Sequence, residues 1–225
     1  MSIIELSNVD RIFKIAKREK SFLKYVFRRQ FEIKEAVKDV SFQIEEGELV
    51  GFIGPNGAGK STTIKMMTGI LVPSGGTIKV LGKDPHKNRK SIAKEVGLVF
   101  GQRSQLWWDL PVADTYLLLK RIYNIDDEVF EKNIQTYSKL LDIQSFINQP
   151  VRQLSLGQRM RADLCAALLH DPKIIFLDEP TIGLDIVVKK QIREMIKEIN
   201  KTRNVTVILT THDMKMWKRY VIELL

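Results

Sequence analysis

Gly54-Pro-Asn-Gly-Ala-Gly-Lys-Ser-Thr62 is the stretch that decides the fold. It fits the pattern G-x-x-x-x-G-K-S/T, in which glycines let successive backbone N–H groups turn toward one anion. Lys60 then reaches the β- and γ-phosphates of a nucleotide, and the Ser61 hydroxyl ligates Mg²⁺. The candidate phosphate-binding residues are Gly54, Asn56, Gly57, Ala58, Gly59, Lys60, Ser61 and Thr62. The flanks agree with the letters. The apolar run Leu49 to Ile53 reads as a buried parallel strand. Thr62 to Met67 reads as a helix whose N-terminal dipole and free N–H groups suit phosphate. A Gly-rich turn without a ligand is the alternative that this strand and helix argue against.

Outward from the loop, strands alternate with helices. Ala36–Ile44, Thr77–Leu81, Val96–Phe100, Ile174–Leu177 and Val205–Leu209 read as strands, and Ile3 to Val9 as a loosely alternating first one. Asn88 to Glu95 reads as a short helix, and Ile192, Met195, Ile196 and Ile199 mark an amphipathic one. The alternation predicts a mostly parallel α/β sheet, and an antiparallel β part is expected at the N-terminal end. Between residues 112 and 145 the texture turns helical, with Phe130, Ile134, Tyr137 and Leu141 at helical spacing. Gln158 to His170 reads as a further helix, ended by Asp171-Pro172. The expected organisation is one domain over residues 1–225, with a helical lobe inserted at about 103–165.

Ligands of such sheets bind at the carboxyl ends of the strands. Four polar features follow strands directly: the phosphate loop, Gln102, Asp178-Glu179 and His212. Asp178 suits a Mg²⁺ ion held through its water shell. Glu179 is placed to orient or deprotonate a water attacking the γ-phosphate. Gln102 suits the metal or that water, and a mostly neutral His212 suits the γ-phosphate. Standing alone, Gln102 would be an ordinary loop glutamine and His212 a structural histidine, which is how His86 and His170 read.

The chain has 225 residues, 44% of them hydrophobic and 28% charged, the balance of an ordinary globular protein. No apolar stretch approaches the length of a transmembrane helix, and Met1-Ser-Ile-Ile-Glu-Leu does not resemble a signal peptide. Cys165 is the single cysteine, so no intrachain disulfide forms and a reducing compartment is expected. Its apolar neighbours mark it as a packed small hydrophobe. The net charge of +9 excludes little: nucleic acid, an anionic membrane surface and an acidic partner all fit. Part of that charge is local, in a basic segment of residues 11–34 interleaved with Phe13, Phe22, Tyr25, Phe27 and Phe31. Such a segment can lie on a membrane surface or dock on a membrane partner. It can also be a solvated loop and helix with an apolar side packed on the domain. Nucleic acid is the least favoured partner.

Leu154-Ser-Leu-Gly-Gln158 resembles the signature motif of ABC ATPases, shortly before the two-carboxylate strand as in that family. Thr181-Ile-Gly-Leu-Asp185 is similar to the D-loop, Gln102 to the Q-loop glutamine and His212 to the switch histidine. The resemblance covers residues 3 to 213. It implies a P-loop NTPase fold, ATP and Mg²⁺ as cofactors, and two ATPase subunits paired head to tail, expected as a homodimer. Each ATP would lie between the phosphate loop of one chain and Ser155, Gly157 and Gln158 of the other. Phe13 falls where the family places an aromatic that stacks on adenine, with plain packing as the other reading. The implied setting is the cytoplasmic face of the membrane, driving a separate transmembrane subunit, with an exporter as the nearest resemblance. A soluble ABC ATPase acting on nucleic acid or the ribosome, and an inactive truncated remnant, are the competing readings.

Three departures from the family pattern carry expectations. Leu156 replaces the middle glycine of the signature, which predicts tuned activity and not loss. The aromatic-rich Phe100-Gly-Gln-Arg-Ser-Gln-Leu-Trp-Trp108 makes Trp107 and Trp108 a socket for the membrane subunit or, otherwise, core of the helical lobe. Lys215 to Leu225 matches none of the usual tail. With a single added adenine, one permitted codon choice for Met214 to Leu225 would read Met-Lys-Asp-Val-Glu-Ala-Ile-Cys-Asn-Arg-Ile-Ile, which resembles that tail. A frameshifted, truncated chain whose sheet lacks an outer strand is therefore expected.

Overall fold

Strand β1 (Ser2–Ala16) runs antiparallel to β2 (Phe31–Glu45), and β3 (Leu49–Ile53) leads into the phosphate loop, which ends at α1 (Lys60–Met67). Then come β4 (Gly75–Val80), α2 (Arg89–Ala93), β5 (Val96–Phe100), α3 (Val112–Tyr123) and α4 (Asp127–Leu140). A 3-10 turn at Val151–Gln153 precedes α5 (Leu156–Leu168). The chain returns to the sheet with β6 (Ile174–Asp178), α6 (Ile186–Arg203), β7 (Thr206–Thr211) and β8 (Val221–Glu223). These elements belong to a computed structural model that describes residues 2–16, 31–101, 103–211 and 221–223.

Two sheets result. One is antiparallel, in the order β2-β1-β4, and the other is parallel, in the order β5-β6-β7-β3-β8. The parallel strands are largely apolar because both faces are covered, with threonines and an aspartate at the ends of β7 and β6. On β6, Ile174 and Phe176 pack with Ile4, Ile44, Phe52 and Ile64 under the antiparallel sheet and α1. Ile175 and Leu177 pack the other way, with the apolar residues of α5 and α6. That is the period of two expected of a strand, with a different core on each side.

The register places the site. Phe100 of β5 stands beside Asp178 of β6, and Asp178 beside Thr210 of β7. Phe52 of β3 is level with that same Thr210. The loops that follow these strands therefore leave the sheet along one edge.

The helical insertion holds together through buried contacts. The Tyr116 hydroxyl on α3 donates to the Ala162 carbonyl on α5 at 3.0 Å, and Asn133 of α4 donates to the Leu169 carbonyl at 3.0 Å. Cys165 is fully buried, and burial pushes its thiol up to about 12, which suits a packing role.

Two expectations are corrected. The flanks of the basic segment are not loop or helix. Arg11 to Ala16 and Phe31 to Glu35 continue β1 and β2 as a two-stranded ribbon, with Phe13 opposite Lys34 and Ile15 opposite Glu32. The β-branched and aromatic residues of Arg11-Ile-Phe-Lys-Ile15 suit a strand, and its basic character masked that. Residues 17–30 lie outside the described residues. The outer strand expected to be missing is also occupied, since β8 runs parallel to β3 with Phe52 opposite Ile222. Ile222 packs against the same core as Phe52.

Candidate nucleotide site

The phosphate loop is shaped by its contact with β2. Gly59 sits at φ 85° at the start of α1, and a Cβ there would collide with the Ala36 carbonyl. Only glycine meets both demands. Ala58 N–H donates to the Pro55 carbonyl at 3.2 Å, and Thr63 N–H donates to the Gly59 carbonyl at 2.8 Å to begin the helix. Lys60 is only 5% exposed. Its ammonium donates to the carbonyls of Gly54 at 2.7 Å and Pro55 at 2.9 Å, folded back over its own loop. Burial lowers its pKa from the usual lysine value, and the Glu179 and Asp178 carboxylates oppose that shift.

The strand ends assemble a polar chain next to it. Ser61 donates to Asp178 Oδ1 at 2.8 Å, and Thr210 donates to the same oxygen at 2.7 Å. Thr210 Oγ1 also accepts the backbone N–H of Glu179 at 2.8 Å. Glu179 adopts φ 55°, a left-handed conformation that turns the chain sharply off β6. On the opposite side, Gly101 N–H donates to the Asp178 carbonyl at 2.7 Å, and a Cβ on Gly101 would strike the Glu179 carbonyl. The two carboxylate residues are thus gripped between β5 and β7.

A cavity of about 470 Å³ opens between the ribbon and the phosphate loop, lined by Phe13, Lys34, Asn56, Gly57, Ser61 and Glu179 among others. Gly59, Lys60 and Thr62 border it too. Arg11 lies with its guanidinium 4.6 Å from the centre of the Phe13 ring. A second cavity of about 350 Å³ is lined by Ser61, Lys65, Arg103, Asp178 and Glu179. The structure therefore brings Phe13, the phosphate loop, Asp178 and Glu179 into one neighbourhood. Ser61 and Asp178 supply the hard oxygen donors Mg²⁺ takes, and that ion commonly uses one or two protein oxygens together with substrate phosphates.

Ser155, Gly157 and Gln158 are not brought to that neighbourhood. They stand at the start of α5, where the Ser155 hydroxyl accepts from Gln158 N–H at 3.2 Å and Gln158 Oε1 accepts from Ser155 N–H at 2.9 Å. This is a reciprocal capping box, and it gives Gln158 a structural task. Gln102 and His212 lie outside the described residues, although their neighbours Gly101 and Thr211 end at the same sheet edge. Trp107 and Trp108 are 42% and 51% exposed, which removes the core-packing reading. Arg159 covers the Trp108 ring at 4.5 Å, and Leu117, Leu118 and Ile122 on α3 are exposed as well.

Sequence reasoning missed Thr210, Gly101 and Asp163. A polar residue closing the apolar run of β7 was the available signal for Thr210. Asp163 is 3% exposed on α5 and accepts from the Ser104 hydroxyl and Gln105 N–H, each at 3.0 Å. Burial raises its carboxyl to about 7, against the pull of those donors and of Arg159.

Residues 37–182 match the ABC transporter family. The ABC transporter ATP-binding protein NatA of Bacillus subtilis is 34% identical over 189 residues, which is 84% of this chain and 76% of that one. A probable sulfate/thiosulfate import ATP-binding protein of Chlorella vulgaris, CysA, is 35% identical over 185 residues, 82% and 78% of the two chains. The dimeric cassette MJ0796, solved in a post-hydrolysis state with ADP and Pi, superimposes with a TM-score of 0.78 at 28% identity over 98% and 94%. An α/β cassette with a phosphate loop facing a paired carboxylate strand is thus an ABC ATPase, and the chain belongs to the ABC transporter ATP-binding family. It is the ATP-binding, ATP-hydrolysing subunit of a transporter, a class that works with transmembrane partners and dimerises. Membership of the family carries no direction of transport. Among the described residues no helix is long and apolar enough to cross a membrane.

Proposed function

We infer that this subunit binds Mg·ATP between Phe13 and the phosphate loop, pairs head to tail with a second copy, and hydrolyses ATP to ADP and phosphate. It does so on the cytoplasmic face of the membrane, to power a separate transmembrane exporter subunit. The observation that carries the reading is the Ser61–Asp178 contact, with Ser61 and Glu179 lining the same cavity as Phe13. Phe13 stacks on adenine, backed by Arg11. Lys60 exchanges its two loop carbonyls for β- and γ-phosphate oxygens, a trade favoured by the stronger, charge-assisted bond. Ser61 and Asp178 would hold a Mg²⁺ ion, which would supply neutralisation of phosphate charge. Glu179 orients the attacking water and takes its proton, while Gln102 and His212 complete the polar ring around the γ-phosphate. Ser155 and Gly157 of the second copy close the site, with Gln158 holding Ser155 in place as its cap. Most of the rate then comes from positioning and fixed electrostatics.

The exporter reading rests on the surface. Exposed Trp107 and Trp108, with Leu117, Leu118 and Ile122, offer an aromatic and aliphatic face for a membrane subunit. The basic residues of 11–34 suit the anionic leaflet beside it. Action on nucleic acid has only net charge in its favour, and the transport relatives weigh against it.

The deciding experiment is Mg-dependent ATP hydrolysis by the purified chain over a range of protein concentration, with Glu179→Gln alongside. Specific activity that rises with concentration and disappears in the variant supports the paired site. Turnover independent of concentration, or equal in the variant, removes it.

A further inference from the structure

Thr210 is polar and fully buried, at the end of the apolar run Val207-Ile-Leu209 of β7. A buried hydroxyl is costly unless it is bonded. Here it is bonded twice: it donates to Asp178 Oδ1 at 2.7 Å and accepts from Glu179 N–H at 2.8 Å. One side chain thus fixes a side-chain oxygen of Asp178 and the backbone of Glu179.

The second contact matters because Glu179 is strained. A non-glycine residue at φ 55° persists only where its surroundings over-determine it. Gly101 closes against it from β5, so close that no Cβ fits, and Thr210 holds it from β7. Ser61 and Thr210 also share Asp178 Oδ1. Ser61 is the hydroxyl that a Mg²⁺ ion takes, so the Thr210 bond is the one left to fix the rotamer of Asp178. Thr210 stands two residues before His212 in the sequence, so the carboxylate pair is tied to the strand that precedes that histidine.

We propose that Thr210 is a positioning residue of the ATPase site: its hydroxyl sets the orientation of Asp178 and stabilises the left-handed turn at Glu179. It touches neither nucleotide nor water itself. This rests on the roles given above to Asp178 and Glu179.

Thr210→Val tests it by removing the hydroxyl while keeping the β-branch, and Thr210→Ser restores the hydroxyl. The readouts are kcat and KM for ATP, and the Mg²⁺ concentration that half-saturates binding of a fluorescent ATP analogue, which needs no turnover. For Thr210→Val, kcat is expected to fall by roughly tenfold to a hundredfold, the worth of a hydrogen bond to a charged group. KM stays near the parental value and the Mg²⁺ requirement rises. Thr210→Ser keeps most of kcat and the parental Mg²⁺ requirement. Parental kcat and parental Mg²⁺ dependence in Thr210→Val would overturn the proposal. So would equal losses in Thr210→Val and Thr210→Ser that follow only their melting temperatures. If the parent binds Mg·ATP without turnover, the hydrolysis reading fails by itself, and the Mg²⁺ shift between the two variants still decides the role of Thr210.

Discussion

The phosphate-loop end and the signature end of this molecule are built on different principles. At the first, Lys60, Ser61, Asp178, Glu179 and Thr210 come from two strand ends and a helix start, and every distance in the chain Ser61–Asp178–Thr210–Glu179 is 2.8 Å or less. The parallel sheet, packed on both faces, sets those positions. At the second, Ser155, Gly157 and Gln158 sit at one exposed helix start and bond mainly to one another. Further along, that helix packs its apolar residues on the sheet, and a buried carboxylate, Asp163, clips it to the Ser104–Gln105 loop. The first end is preorganised by non-local pairing. The second is held by local bonds, and in the function proposed above it acts on another chain.

The sharpest way to break this contrast is Glu179→Gln. Loss of the base should lower turnover by about 10² to 10⁴-fold with ATP binding retained; a change in kcat below tenfold would show that the preorganised end does not run the chemistry. Lys60→Ala comes next. It removes the charge folded over the loop, and nucleotide binding by a fluorescent analogue should weaken by more than about tenfold, the scale of a charge-assisted hydrogen bond. Binding at parental strength would place the nucleotide elsewhere.

Ser155→Ala separates the two ends. The lost cap costs about 1 kcal/mol of stability. Concentration-dependent turnover should drop, while nucleotide affinity of the dilute chain stays parental. A matching loss of affinity in the dilute chain would mean that the ends are not independent.

The smallest effect is the most specific. Asp163 titrates near 7 in the fold, above an ordinary aspartate, because it is buried. The folded chain therefore holds that proton more tightly than the unfolded chain. Its contribution to stability is present below about pH 4 and is lost as pH rises through 7. Asp163→Asn cannot ionise, yet its amide oxygen still accepts from Ser104 and Gln105. Its melting temperature relative to the parent should rise between pH 5 and pH 8. A difference that stays constant with pH would show that the clip carries no ionisation.

Much of the site was legible because short-range chemistry writes it. The spacing from Gly54 to Thr62 needs no partner to be recognised, since the loop makes its own anion cradle. The apolar run ending in Asp178-Glu179 announces a buried strand and two carboxylates at once. The helical insertion showed through the period of Phe130, Ile134, Tyr137 and Leu141. Harder to read were features set by pairing across the chain. Arg11 to Ala16 passed for part of a basic loop or helix, because what makes it a strand is β2 beside it. The tail passed for a lost strand, because three residues docked on β3 carry too little pattern to be seen. Gln158 read as a ligand and is engaged as a cap, because the family pattern and the capping box use the same letters.

By itself the sequence determined the family and its class of chemistry, since a glycine loop, a lysine, a serine and paired carboxylates are recognised by residue type and local spacing. Only the tertiary structure decided how they are held. Thr210 reaches Asp178 across 32 residues of chain, and Gly101 meets Glu179 because β5, β6 and β7 lie in register. Those contacts depend on strand pairing, and strand pairing is fixed by burial of both sheet faces, a property of the whole fold that no single stretch of residues contains.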